Sequence, residues 1–222
     1  MARPQHSEDE VAAARERLLA VALHICLTEG EAALSFRRLA EVAGISHSLP
    51  YRYFESKEGL LGAIRVVCTR HFEQFVRQRE NARATPLQRI RQIAEAYLQF
   101  VNEHSGEYQM VFASHPPAPA SVPELLVARR SLFDHAVEVV QAAVDSGAMR
   151  GDALTLAHLF WVSMHGLMTL HVGGQLLHGR QMSELIEPMI ERLIQAGAPC
   201  SPEPVRRKSP GITPPVTSGK KR

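Results

Sequence analysis

The chain has 222 residues, 45% hydrophobic and 22% charged, with a formal net charge of +2; that is length for one or two domains with proper cores, and a balance that excludes a fibrous or wholly disordered protein. So small a net charge announces no nucleic-acid partner, and Met1 to Leu60 is slightly acidic, so a DNA-binding reading has to rest on where the cations sit. Cys26, Cys68 and Cys200 form no CxxC pair, which argues against a disulfide framework or zinc finger and suits a reducing compartment, the cytoplasm by default.

The N-terminal stretch carries acids before its apolar run, the reverse of a signal peptide. No repeat is present and strand signals are weak, so the chain reads as all-α. Ser7 and Glu10 make a capping box for a first helix with Leu18, Ala22, Ile25 and Cys26 on one face, ended by Gly30. Ser35 caps a short helix, Phe36 to Ala43, whose inward positions are Phe36, Leu39, Ala40 and Ala43, and Gly44 supplies a left-handed corner. Ser46 is expected to cap a second short helix with Pro50 in its first turn, and Ser56 a long helix from Lys57 towards Glu80. Thr85-Pro86 with Gln88 opens the next, which should end near Ser105-Gly106.

Glu107 to Ser114 is a short helical candidate, and the prolines of "HPPAPASVP" then enforce a loop. Pro123 to Asp145 reads as helix closed by Ser146-Gly147, and Asp152 caps a segment, Ala153 to His178, with no Asp, Glu, Lys or Arg. Ser183 starts the last helix, with Leu185, Ile186, Met189, Ile190, Leu193 and Ile194 as its apolar stripe and Pro188 bending it. Beyond Pro199 the composition turns to Pro, Ser, Gly and basic residues, a disordered basic tail.

Phe36 to Phe54 reads as two short helices joined at Gly44, with Ala40 and Ile45 letting them cross closely, the packing of a helix-turn-helix. Outward lie Arg37 and Arg38 at the start of the first, His47 and Ser48 at the start of the second, and Tyr51, Arg52, Tyr53 and Lys57 beyond. Free amides at helix N-termini, with Arg, Lys and Tyr donors, suit phosphates, and a helix so held fits the major groove. Arg38 reads equally as a solvated surface cation.

"SFRRLAEVAGISHSLPYRYFESKEGLL", Ser35 to Leu61, resembles the N-terminal DNA-binding region of tetracycline-repressor-like (TetR/AcrR) transcription regulators, through Leu39-Ala40, Ala43-Gly44-Ile45-Ser46, Tyr51, Phe54, Lys57-Glu58 and Leu60-Leu61. Ser48 and Pro50 depart from the family pattern, where Gly and an aliphatic residue are commoner. The resemblance implies that Arg37, His47, Ser48 and Leu49 face bases while Tyr51, Tyr53 and Lys57 contact phosphates, with Ser35, Arg38 and Arg52 in the same surface. It also implies an N-terminal three-helix DNA-binding domain, 1–60, joined by a long helix to a ligand-binding and dimerisation domain, 61–198, before the tail, 199–222.

In the charge-free segment Leu154, His158, Trp161, His165, Met168 and Val172 form one stripe, and Leu156, Leu159, Ser163, Leu167, Leu170 and Leu177 cover the other side. A helix apolar all round has to be buried on both faces, one against its own domain or a cavity and the other against a second copy. Resemblance and periodicity together predict a homodimer through the last two long helices, and "WVSMHG", Trp161 to Gly166, resembles a Trp-His-Gly subgroup of the family's C-terminal domains. Trp161 and His165 are candidates to contact a small molecule, with Tyr108, Met110, Phe112, Phe133, Met164 and Met168 as further candidate wall residues.

His158 and His165 lie two turns apart, as do His171 and His178, so no helical chelate and no metal site are expected. With no GxSxG and no Gly-rich phosphate loop, no enzyme is expected either, and no cofactor. The expectation is a ligand-responsive transcriptional regulator, a repressor released from a palindromic operator by a small molecule. Two rivals stay open: a membrane-associated protein using Ala153 to His178, which is long enough to span a bilayer, and a helical carrier or enzyme with a vestigial DNA-binding module.

Overall fold

Side-chain caps set most helix boundaries. The Ser35 hydroxyl accepts the Arg38 amide at 3.1 Å, Ser56 that of Gly59 at 3.0 Å, and the Asp152 carboxylate that of Thr155 at 2.8 Å. Thr85 and Gln88 satisfy one another's amides in a complete capping box behind Pro86. The computed structural model describes residues 8–112 and 122–196, which form eight α-helices: α1 (Glu8–Glu29), α2 (Phe36–Ala43), α3 (Lys57–Arg79), α4 (Pro86–Glu103), α5 (Ser105–Val111), α6 (Pro123–Asp145), α7 (Ala153–Val172) and α8 (Met182–Ala196). Single 3-10 turns lie at Glu31–Ala33 and Pro50–Arg52, and no strand occurs among the described residues. The Ser7 cap, the proline loop at 113–121 and the basic tail with Cys200 fall outside them.

Several expectations shift. The helix expected from Ser46 is a run of tight turns, in which Leu49 donates to the Ser46 carbonyl, Arg52 to Leu49 and Tyr53 to Pro50, all about three residues back. Pro50 has no amide to return to Ser46, so i→i+4 bonding cannot begin there. The Ser46 hydroxyl meets Ser48 at 3.4 Å instead of capping. The short helix expected at Glu107 to Ser114 starts two residues earlier, at Ser105, and ends at Val111. α8 begins at Met182, where the Glu184 carboxylate accepts the Gln181 amide. Leu177 lies beyond the end of α7.

Two main cores follow, and α3 belongs to both. The N-terminal core gathers Leu18, Ala22 and Ile25 of α1, Phe36 and Leu39 of α2, Phe54 ahead of α3, Leu60, Ile64 and Cys68 of α3, and Met110 and Val111 of α5. The second takes Phe72, Phe75 and Val76 from the same α3 and packs them with Tyr97 and Phe100 of α4, Met164 and Met168 of α7, and Ile190 and Ile194 of α8. α6 and α7 meet in a third cluster around Val139, Val140, Met149 and Ala157. With 23 residues α3 is a continuous rod about 34 Å long.

α5 touches the N-terminal head directly. At Gly106 an added Cβ would lie 2.6 Å from a Leu27 methyl of α1, so glycine allows this approach. Along α7, Ala153, Ala157, Met164, Leu167 and Met168 are buried, while Leu154, Leu159, Val162 and Leu170 are about half exposed. Only one face of α7 is therefore covered within the protomer. By length and composition it is apolar enough to cross a membrane, yet its buried side packs into the cores shared with α4, α6 and α8.

A helix-turn-helix head and an apolar cavity

The head is built around Gly44. It sits at φ 64° and ψ 35°, the left-handed region, and its amide and that of Ile45 return to the carbonyls of Glu41 and Ala40, a Schellman-type stop that turns the chain sharply after α2. Ala40, fully buried, lets the following turn approach. The Tyr51 ring stands edge-on to Phe36 at 4.6 Å and is otherwise largely exposed, so its hydroxyl faces outward from a fixed ring. His47, Ser48 and Arg52 are exposed, Leu49 and Lys57 half-buried, and Tyr53 packs partly on the N-terminal core.

Arg37 is exposed and bonds Glu41 one turn along α2 at 2.9 Å, while Arg38 forks onto both oxygens of Glu29 at 3.0 and 2.8 Å, tying α2 to the end of α1. The arginine hydrogen bonds hold both carboxyls below their ordinary range. Arg38 is thus a link between helices, and Arg37 has to exchange Glu41 for a phosphate or base to act on DNA. Among the described residues no ion pair engages Arg52 or Lys57.

Below the head a cavity of about 540 Å³ opens between α3, α4, α6 and α7, within the size range of small-molecule pockets. Five of the eight residues anticipated from sequence line it: Phe112, Phe133, Trp161, Met164 and His165. Met110 packs in the N-terminal core and Met168 is fully buried behind the wall. Tyr108 also stands behind it, its hydroxyl 2.9 Å from His165 Nδ1. The His165 ring stacks on Trp161, and burial pulls its pKa below 6.5, so the neutral form is favoured. Burial, then the neighbouring Tyr108, pushes the Tyr97 hydroxyl well above its ordinary value.

Sequence reasoning missed Arg129 and His135, both on α6 and both in the wall. They interrupt the stripe Leu125, Leu132, Ala136, Val140 at helical spacing, and that interruption was the available signal. His135 is buried, with Nε2 on Glu80 and Nδ1 3.0 Å from Arg77. Glu80 also takes Arg89, closing a network between α3, α4 and α6.

Outside the cavity His71 Nδ1 lies 2.7 Å and His104 Nδ1 3.5 Å from the two oxygens of Glu107. One ligand atom from each residue lies within 4.8 Å of the others, a set that could hold a metal ion and that the spacing of histidines along α7 gives no hint of. Cys26 and Cys68 are buried, and their thiols are pushed up to about 11 and about 12, mainly by burial.

A helix-turn-helix joined by one continuous helix to a ligand-sized apolar cavity defines the class: a ligand-responsive, DNA-binding transcriptional regulator. Residues 18–64 match the family of bacterial regulatory proteins of tetR type, and residues 90–193 match the tetracyclin repressor-like C-terminal domain, together well over half the chain. The chain belongs to the tetR family. A protein of unknown function from Rhodococcus sp. RHA1 is similar at 25% identity and TM-score 0.73, over 89% of this chain and 100% of that one. Two further solved structures share the fold. One, a TetR-family protein from Vibrio parahaemolyticus, has 22% identity and TM-score 0.65 over 82% of this chain and 97% of its own. The other, the TetR-family regulator PfmR from Thermus thermophilus, has 16% identity and TM-score 0.60 over 81% and 97%.

Proposed function

We propose that the protein is a cytoplasmic, homodimeric repressor that holds a palindromic operator and leaves it when a small molecule enters the cavity. The observation that carries this reading is α3: it supplies Leu60, Ile64 and Cys68 to the core under the head and Phe72 and Val76 to the cavity wall. A ligand that wedges the wall moves the rod, and the rod carries the head. Two heads related by a two-fold axis then no longer fit successive major grooves.

In this reading Arg37, His47, Ser48 and Leu49 meet bases. Tyr51, Tyr53 and Lys57 meet phosphates, with Ser35, Arg38 and Arg52 around them. The partner copy covers Leu154, Leu159, Val162 and Leu170, whose exposure on an apolar helix supports an isologous α7–α8 bundle. Family members of this kind are generally not enzymes, and the reading involves no catalysis.

Gel-shift titration of the full chain against fragments upstream of its own and neighbouring genes tests the reading. One fragment should be retarded as a dimer complex with steep salt dependence, and Tyr51→Ala with Lys57→Ala should weaken binding and flatten the salt slope by roughly one counterion per lost phosphate contact. A monomer that retards no fragment at low ionic strength contradicts it.

A further inference from the structure

The cavity wall is apolar with an uneven distribution of charge. No Asp or Glu lines it, whereas Arg129, His135, His158 and His165 do. The acids nearest by contact are already engaged: Glu80 by His135 and Arg89, and Glu73 by Arg77 and Ser131. Arg129 is the only Lys or Arg among the described lining residues. Its one described hydrogen bond is from Nη2 to the Val111 carbonyl at 3.2 Å, and no described carboxylate pairs with it. In sequence, residues 113–121 contain no Asp or Glu.

A guanidinium carries five donors and keeps its charge, so a half-buried one without an anion is costly unless something else supplies the anion. Burial and the nearby charge of Arg65 both disfavour the protonated form of Arg129. Arg65 brings no relief, since it is itself buried with one carboxylate partner, Glu31, and an unpartnered Nε. A positive, acid-free corner on an otherwise aromatic and aliphatic wall repels cationic ligands and leaves a neutral ligand unable to satisfy it.

We propose that the cavity takes an amphipathic anion, an apolar or aromatic body bearing one carboxylate, with Arg129 receiving the carboxylate. Phe133, Phe160 and Trp161 enclose the body. The inference rests on the reading of this cavity as the effector site. Fork-to-carboxylate geometry supplies the selectivity, because removing the ligand's charge leaves the half-buried guanidinium without an anion, with its described bond to the Val111 carbonyl alone.

The test uses the full-length protein and three scaffolds, phenylbutyl, naphthylethyl and decyl, each as carboxylate, alcohol and amine, with binding read by calorimetry and thermal shift. On every scaffold that binds, the carboxylate should be tighter than the alcohol by at least about tenfold, with the amine weakest. Arg129→Met should reduce the carboxylate to the alcohol's affinity, and Arg129→Lys should retain a preference for it. Equal or tighter binding of alcohol or amine by the wild-type protein overturns the proposal without any variant, and so does a carboxylate preference that survives Arg129→Met. Neutral ligands binding with no preference would leave the effector cavity standing and remove only its anion specificity. If no scaffold of any charge binds, the effector cavity falls and the anion with it.

Discussion

Gly62 of α3 offers a substitution whose sign should depend on one neighbour. A Cβ built there would lie 2.4 Å from Val122 Cγ2, 3.1 Å from Cγ1 and 3.3 Å from Cβ, at the start of α6. Val122 is buried in a small cluster with Val66, Leu125 and Ala128, and its β-branched side chain has little rotamer freedom to yield. Overpacking of this kind costs about 1–3 kcal/mol, and a 2.4 Å approach belongs near the top of that range. Against it stands the gain of about 1 kcal/mol from replacing glycine by alanine inside a helix.

Gly62→Ala should therefore destabilise by about 1–2 kcal/mol, lowering Tm by about 2–8 °C in a protein of this size. Val122→Ala removes both γ-carbons, and in that background the same Gly62→Ala change should stabilise by about 1 kcal/mol. The assay is thermal unfolding of the four proteins at one concentration, so that dimerisation does not shift Tm. A Gly62→Ala protein more stable than wild type with Val122 in place would refute the close approach of Val122 to α3.

Thr85→Ala should cost about 1 kcal/mol by opening the capping box of α4, visible as a lower urea midpoint with unchanged m. In a Cys200→Ser background, Cys26 and Cys68 should stay unlabelled by a thiol reagent at mildly alkaline pH and label only on unfolding, since both are buried with raised pKa values. The neutral form of His165 is favoured in the folded state, so its stabilisation is complete above about pH 6.5 and is lost as pH falls through that value towards the lower folded pKa. His165→Gln should be less acid-sensitive than wild type over that window, with the difference reduced by the ring's partial exposure, and equal acid profiles in the two proteins would contradict this assignment.

What the sequence made legible was local. Ser35, Ser56, Thr85 and Asp152 cap where they were expected to because a cap bonds an amide two or three residues away and needs no distant partner. Gly44 was readable for the same reason. Ser46 failed as a cap because Pro50, four residues on, removes the amide that the first helical bond requires.

The cavity was only partly legible. Trp161 and His165 stood out as polar or aromatic members of an apolar stripe, whereas Arg129 and His135 interrupt the apolar stripe of α6 on a helix with many other charged residues, which dilutes that signal. Tyr108 and Met168 are in the right region yet stand behind the wall, a difference set by the facing helices. The His71, His104 and Glu107 group joins α3 to the α4–α5 corner across more than thirty residues, which no local pattern encodes. The half-exposed face of α7 reads as apolar in sequence, but a single protomer leaves it uncovered.

The central claim is that α3 couples the cavity to the head, and coupling between two binding sites is reciprocal. The most direct measurement is operator affinity of the full-length dimer with and without a saturating cavity ligand, alongside ligand affinity with and without saturating operator. The account predicts that ligand weakens operator binding and that operator weakens ligand binding by the same factor, about 5- to 150-fold for a typical allosteric coupling. A ligand that fills the cavity while operator affinity stays unchanged would contradict it.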